Sequence, residues 1–65
     1  MKFGDKLKQQ RAKAGLTQEK VAKALGIDQS AVSQWETGKT APRAGLLVKL
    51  ADMYGCTVDE LLSDN

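Results

Sequence analysis

The sequence has no histidine and a single cysteine, Cys56. One cysteine cannot form an internal disulfide, and one thiolate with scattered carboxylates does not make a tetrahedral zinc site. We expect Cys56 to behave as a small apolar side chain of the core. No base lies within a recognisable nucleophile motif, so catalytic chemistry also lacks candidates. The composition therefore argues against an enzyme and predicts neither a metal nor a cofactor.

Long apolar runs are also missing, because the longest such stretch spans only a few residues. The sequence therefore predicts no membrane span and no signal peptide. We expect a soluble protein without a membrane partner and, for a bacterial or phage source, a cytoplasmic one. With 65 residues, the chain has room for one small domain, so we expect residues 1–65 to form a single domain with a limited core.

The basic and acidic residues are nearly equal in number, but they are unevenly distributed along the chain. The net charge is only +2, yet seven of the ten basic residues lie within residues 1–23, and only acidic residues follow Ala51. A molecule with one basic region and one acidic end suits a partner that is a polyanion. Chance clustering of ordinary surface charge is the alternative interpretation.

The stretch of residues 18–37 organises the rest of the chain. Its first half places Val21 and Leu25 on one side of a helical wheel, and its second half places Val32 and Trp35 on one side. Between the halves lies Gly26, which can adopt the left-handed conformation that ends a helix, and a candidate N-cap, Asp28, follows it. Two short amphipathic helices joined by a glycine turn are a helix-turn-helix.

The outward face of the second of these helices carries amide and hydroxyl groups rather than the charges typical of a face that only keeps a protein soluble. Its residues are Gln29, Ser30, Ser33 and Gln34. Glutamine pairs with the N6 and N7 atoms of adenine, and serine hydrogen-bonds to several base edges. For an isolated helix we would favour a merely solvated polar face. Within a helix-turn-helix, recognition of DNA bases is favoured instead.

Apolar spacing and capping residues predict three further helices. The first covers residues 3–14, with Phe3, Leu7 and Ala14 on its core stripe, and Thr17 then caps the next helix. The fourth covers residues 43–54, with a core stripe of Leu47, Leu50, Ala51 and Tyr54. A capping box of Thr57 and Glu60 predicts a last helix over residues 58–62. No strand pattern occurs, so the predicted fold is all-α, a compact bundle of five short helices.

Together these residues resemble the phage repressor and Cro family, the lambda-repressor-like or XRE-type helix-turn-helix domains. The resemblance covers nearly the whole chain, from Phe3-Gly4 with Leu7 and Arg11, through GLTQEKVAKALGIDQSAVSQWETGKTAP, to LLVKLADMYGCTVDELL. It implies a lambda-repressor-like fold with the helix-turn-helix in its second and third helices. It also implies sequence-specific binding of double-stranded DNA by a transcriptional regulator, with repression favoured. Such proteins generally act as homodimers on near-palindromic operators.

The resemblance also implies roles for individual residues. Gln29, Ser30, Ser33 and Gln34 match positions that read bases. Gln18 matches a glutamine that binds a backbone phosphate and braces the reading helix, and Lys39 and Thr40 match a loop that contacts the sugar-phosphate backbone. Arg11 and Glu36 match a partly buried salt bridge. The chain departs from the family after Pro42, where Arg43 and Gly45 replace a serine cap and an acidic residue, and Arg43 offers an extra phosphate contact.

The fourth and fifth helices carry more apolar surface than one core needs. Leu46 and Met53, with Leu61 or Leu62, are candidates for a homodimer interface, and we expect only weak self-association without DNA. An alternative function uses the same surface: a protein-interaction module, of the antitoxin or anti-regulator type, that holds a partner protein. Many family members carry a further domain, so the chain matches either a complete Cro-like regulator or the N-terminal domain of a longer one.

Overall fold

The computed structural model describes residues 2–63 of the chain. Within this range it contains five α-helices and no strand. The helices are α1 (Phe3–Lys13), α2 (Gln18–Leu25), α3 (Gln29–Thr37), α4 (Ala44–Tyr54) and α5 (Val58–Leu62). The predicted all-α bundle of five helices is confirmed. The bounds of α2, α3 and α5 follow the prediction, whereas α1 ends one residue earlier and α4 begins one residue later.

The helix ends agree with the capping residues in the sequence, with one exception. The Thr17 hydroxyl accepts a hydrogen bond from the Lys20 amide at the start of α2. Thr57 and Glu60 form the complete capping box of α5. Asp28 occupies the N-cap position of α3, but its side chain makes no capping hydrogen bond. α3 therefore begins without a side-chain cap.

Each helix contributes to one small core. The most deeply buried side chains are Leu7, Val21, Val32, Leu50 and Leu61. α3 packs against both α1 and α2, and α5 closes the core against α1 and α4. The helix-turn-helix therefore packs on α1 through α3, and α4 and α5 complete the core.

Two expectations about the core are wrong. Ala14 is exposed rather than part of the α1 core stripe, because the helix ends at Lys13 and Ala14 is only its C-cap. Leu61 is fully buried and cannot contribute to a dimer interface, whereas its neighbour Leu62 is 57% exposed. No helix within residues 2–63 has the length and apolar character needed to cross a membrane.

Candidate nucleic-acid interface

α3 has one buried side and one polar side. Val32 and Trp35 are buried against the core. We call the opposite side the α3 outer face. Gln29 and Ser30 on this face are exposed, and Ser33 and Gln34 are partly exposed. The four residues that the sequence singled out for base contacts therefore present their amide and hydroxyl groups on a single helix that is otherwise anchored by apolar packing.

The turn between α2 and α3 sets the angle at which α3 leaves the bundle. Gly26 has a positive φ of 70°, a conformation that side chains with a Cβ rarely adopt. The Ala22 carbonyl near the end of α2 accepts from the Gly26 amide and, at 3.0 Å, from the Ile27 amide, so the turn continues the hydrogen bonding of the helix. Since Ile27 also packs against the core, the turn is anchored by its own side chain.

The loop that follows α3 folds back onto the last turn of that helix. The Gln34 carbonyl accepts from the Lys39 amide at 2.9 Å, from the Thr40 amide at 3.3 Å and from the Thr37 hydroxyl at 3.2 Å. Lys39 and Thr40 are exposed. The backbone thus brings these two predicted phosphate contacts next to Gln34. Arg43 lies farther along, exposed at the N-cap position of α4, and no hydrogen bond joins it to this cluster.

A polar network ties α1, α2 and α3 together behind the outer face. Arg11 donates to Glu36 twice, from Nε to Oε2 at 2.7 Å and from a terminal nitrogen to Oε1 at 3.1 Å. Its other terminal nitrogen donates to the Leu16 carbonyl at 2.8 Å. Gln18 Nε2 donates to Glu36 Oε1 at 3.0 Å. One carboxylate on α3 is therefore held by side chains from both preceding helices.

The network is largely shielded from solvent at Glu36, and this carboxylate affects the pKa of two neighbouring side chains. Glu36 is 7% exposed and is the only charged residue that is buried within residues 2–63. The hydrogen bond to Glu36 raises the pKa of Arg11, an effect that outweighs the opposing effect of burial. Burial, helped by the nearby Glu36 charge, raises the pKa of Tyr54 to about 12. A charged pair and a neutral phenol thus occupy the junction of α1, α3 and α4.

Gln18 keeps part of its hydrogen-bonding capacity. It is the first residue of α2 and is partly exposed. A glutamine amide has two N–H donors, and the acceptor-only Glu36 carboxylate engages one of them, which also sets the orientation of the amide. The second donor remains available for an anion near the start of α2, where the helix dipole is favourable.

Sequence reasoning missed a close approach at Gly4. A Cβ at this position would lie 2.6 Å from the Glu36 carbonyl oxygen and 2.7 Å from that of Trp35. α1 therefore contacts the backbone of α3 directly, which only glycine permits without a shift. The contact joins residues more than 30 positions apart, so no local pattern signals it.

A second feature that the sequence did not reveal is a depression of about 510 Å³ beside Gln18. We call it the α1–α3 groove. It is lined by Lys2, Asp5, Lys8, Gln18, Glu36 and Thr37. In retrospect, the spacing of three between Lys2, Asp5 and Lys8 could have indicated a common face. In the part of the chain that the structure describes, no cluster of cysteine, aspartate and glutamate could hold a metal ion.

Comparison with known proteins agrees with this architecture. Residues 7–61 match the family model described as helix-turn-helix. The HTH-type transcriptional activator BcrR of Enterococcus faecalis is 41% identical over 63 residues, which are 97% of this chain and 31% of that protein. The CTXphi repressor RstR of Vibrio cholerae is 33% identical over 63 residues, 97% of this chain and 57% of the repressor. The chain thus spans about a third to somewhat over half of these two relatives.

A third relative has a length close to that of this chain. The uncharacterized HTH-type transcriptional regulator MJ0272 of Methanocaldococcus jannaschii is 37% identical over 57 residues, which are 88% of this chain and 86% of that protein. The order of five helices, with the glycine turn between the second and third, is consistent with a lambda-repressor-like fold.

Proposed function

The chain belongs to the XRE-type helix-turn-helix family, which includes phage repressors, and from this premise we propose that it regulates transcription by reading the sequence of double-stranded DNA with α3. The observation that carries the proposal is the α3 outer face. Four amide and hydroxyl side chains project from a helix whose opposite side is anchored by Val32 and Trp35. A rigid helix with such a face fits the major groove.

The chemistry of the outer face suits base edges. Gln29 and Gln34 can each place two hydrogen bonds on one adenine, and Ser30 and Ser33 can donate to or accept from either kind of base pair. None of the four carries a charge, so their contribution to binding should depend on sequence rather than on salt. These side chains are accordingly our candidates for base contacts.

The backbone contacts come from the surroundings of α3. Lys39 and Thr40 lie in the loop that returns to Gln34, and Gln18 lies at the start of α2 with one amide donor available. DNA seated on the outer face would place its phosphates beside these groups, with Arg43 as a further cation. Contacts of this kind position the protein on the duplex but carry no sequence information.

The active species is proposed to be a homodimer on a near-palindromic operator, because one copy spans too few base pairs to specify a genomic site. Exposed apolar side chains are available on α4 and α5, where Val48 is 58% and Leu62 57% exposed. Leu46 and Met53 are only partly exposed. Such an interface is small, so we expect weak association in solution and half-site centres about 34–36 Å apart on DNA.

Repression is the proposed outcome, since a dimer bound over a promoter excludes polymerase without needing a further surface. The test is selection of binding sites from a random duplex pool, followed by transcription in vitro from a promoter that overlaps the selected site. A two-fold symmetric motif and reduced transcript support the proposal. A single asymmetric half-site would contradict the dimer, and increased transcript would contradict repression.

A binding measurement with the same purified protein distinguishes DNA binding from a role limited to protein–protein interaction, of the antitoxin or anti-regulator type. A DNA reader retains salt-dependent affinity for random duplex at low salt, because its phosphate contacts do not depend on sequence. Absence of any duplex binding under those conditions would overturn the proposed function.

A further inference from the structure

The α1–α3 groove lies next to the proposed DNA contacts, but several of its lining residues have no role in the proposed function. Gln18 belongs to both surfaces, and Thr37 is the last residue of α3, three positions after Gln34. The other side of the groove is formed by the start of α1 and its N-cap residue, through the exposed residues Lys2, Asp5 and Lys8. The groove is therefore continuous with the proposed interface on the side of α3 that faces α1.

The charges of the groove favour an anion. Glu36 is its most buried acidic group, but Arg11 holds that carboxylate through two hydrogen bonds and compensates its charge. Lys2 and Lys8 then face a single opposing carboxylate, that of Asp5, which leaves one net positive charge at the groove. Both lysines are exposed and long enough to turn their ammonium groups toward a ligand.

The donors point to a phosphodiester. Two ammonium groups and the remaining N–H of Gln18 offer the donors that a phosphate oxygen accepts, whereas the Thr37 hydroxyl is already donating to the Gln34 carbonyl. A duplex seated on the α3 outer face presents a row of such phosphates beside Gln18.

We propose that the α1–α3 groove binds a DNA backbone phosphate next to the one contacted by Gln18, with Lys2 and Lys8 as its cationic ligands. This inference rests on the proposed function and adds the start of α1 to the phosphate contacts proposed for Gln18 and for the loop after α3. Asp5 is then the element that limits the affinity of the groove, since its carboxylate repels the same phosphate.

The experiment is a fluorescence anisotropy titration of a labelled random-sequence duplex at several salt concentrations. The variants are Lys2→Gln, Lys8→Gln and Asp5→Asn, with Lys23→Gln as the matched control. Lys23 is an exposed lysine in the last turn of α2 and does not line the groove. All four side chains are exposed, so thermal unfolding should show that each variant keeps its fold.

We expect each groove lysine variant to weaken binding roughly fivefold to tenfold at 0.1 M salt and to reduce the salt slope by about one unit. Asp5→Asn should tighten binding, and Lys23→Gln should leave the slope near that of the unmodified protein. If Lys2→Gln and Lys8→Gln match the Lys23→Gln control, the groove proposal is wrong while DNA binding stands. If the unmodified protein binds no duplex, the proposed function itself fails.

Discussion

Arg11 holds the buried Glu36 carboxylate through two hydrogen bonds, so the loss of either side chain should lower the free energy of unfolding. Arg11→Ala removes both hydrogen bonds to Glu36 and the one to the Leu16 carbonyl. The Glu36 side chain is only 3% exposed, so its carboxylate cannot turn to water and keeps only the Gln18 amide as a partner. Breaking a buried pair costs about 3–5 kcal/mol. The Arg11 side chain is 14% exposed, which allows some water to enter, so we expect about 3 kcal/mol, at the lower end of that range.

The two single replacements should not be equivalent. Glu36→Ala leaves a guanidinium that still donates to the Leu16 carbonyl and can reach water, so its loss should be smaller, about 2 kcal/mol. A chain of this length has a total stability of roughly 3–10 kcal/mol. In a domain of this size, each kcal/mol of lost stability lowers the Tm by about 4–8 °C. A loss of about 3 kcal/mol then corresponds to a fall in Tm of roughly 12–24 °C.

The assay is a double-mutant cycle by urea unfolding, with sucrose added equally to all variants if a single variant is too unstable. The double alanine variant should lose less than the sum of the singles, with a coupling of about 1–3 kcal/mol. Additive losses would show that the two side chains do not interact. A Glu36→Ala variant less stable than Arg11→Ala would show that the stranded Glu36 carboxylate is not the larger of the two costs.

Two further predictions concern packing and pH. Gly4→Ala should destabilise the protein by about 1–3 kcal/mol, because its Cβ would meet backbone oxygens that cannot move aside. Gly45→Ala is the matched control, since nothing lies within 4 Å of its Cβ, and should stabilise α4 by up to about 1 kcal/mol in the same urea titration. Burial raises the pKa of Tyr54 to about 12, whereas an unfolded tyrosine ionises near 10, so stability is retained below about pH 10 and lost toward about pH 12. This loss, up to about 2–3 kcal/mol, should shrink in Tyr54→Phe, and an equal alkaline loss in both proteins would contradict the assignment.

The helices could be predicted because their signals are local. Apolar spacing at 3.6 residues, the Thr17 and Thr57 caps and the glycine turns all act within a few residues of one another. The bounds of α5 followed directly from its capping box. The prediction for Ala14 is wrong because a helical wheel assigns a face to every residue, including residues beyond the end of the helix, whereas α1 ends at Lys13.

The rest depends on contacts between distant segments. Leu61 and Leu62 are chemically alike neighbours, and only the packing of α5 on α1 and α4 decides which of them is buried. The Arg11–Glu36 contact was suggested by the family resemblance rather than by spacing. Gly4 and the α1–α3 groove arise from α1 lying against the end of α3, which no single segment encodes.

In the proposed function, the α3 outer face reads bases while neighbouring groups hold the DNA backbone. Gln34 and Lys39 are suited to separate these roles because a backbone hydrogen bond holds the two residues together and neither side chain is buried. The most direct measurement compares Gln34→Ala and Lys39→Ala on the selected operator and on random duplex over a range of salt. Gln34→Ala should lose about 1–3 kcal/mol on the operator and relax one base position, with an unchanged salt slope.

Lys39→Ala should instead weaken binding to both duplexes alike and lower the slope by roughly one unit. Both variants should remain folded, which thermal unfolding would check. A Gln34→Ala variant that loses operator and random duplex equally would contradict the account, because Gln34 would then be a backbone or structural residue rather than one that reads DNA sequence.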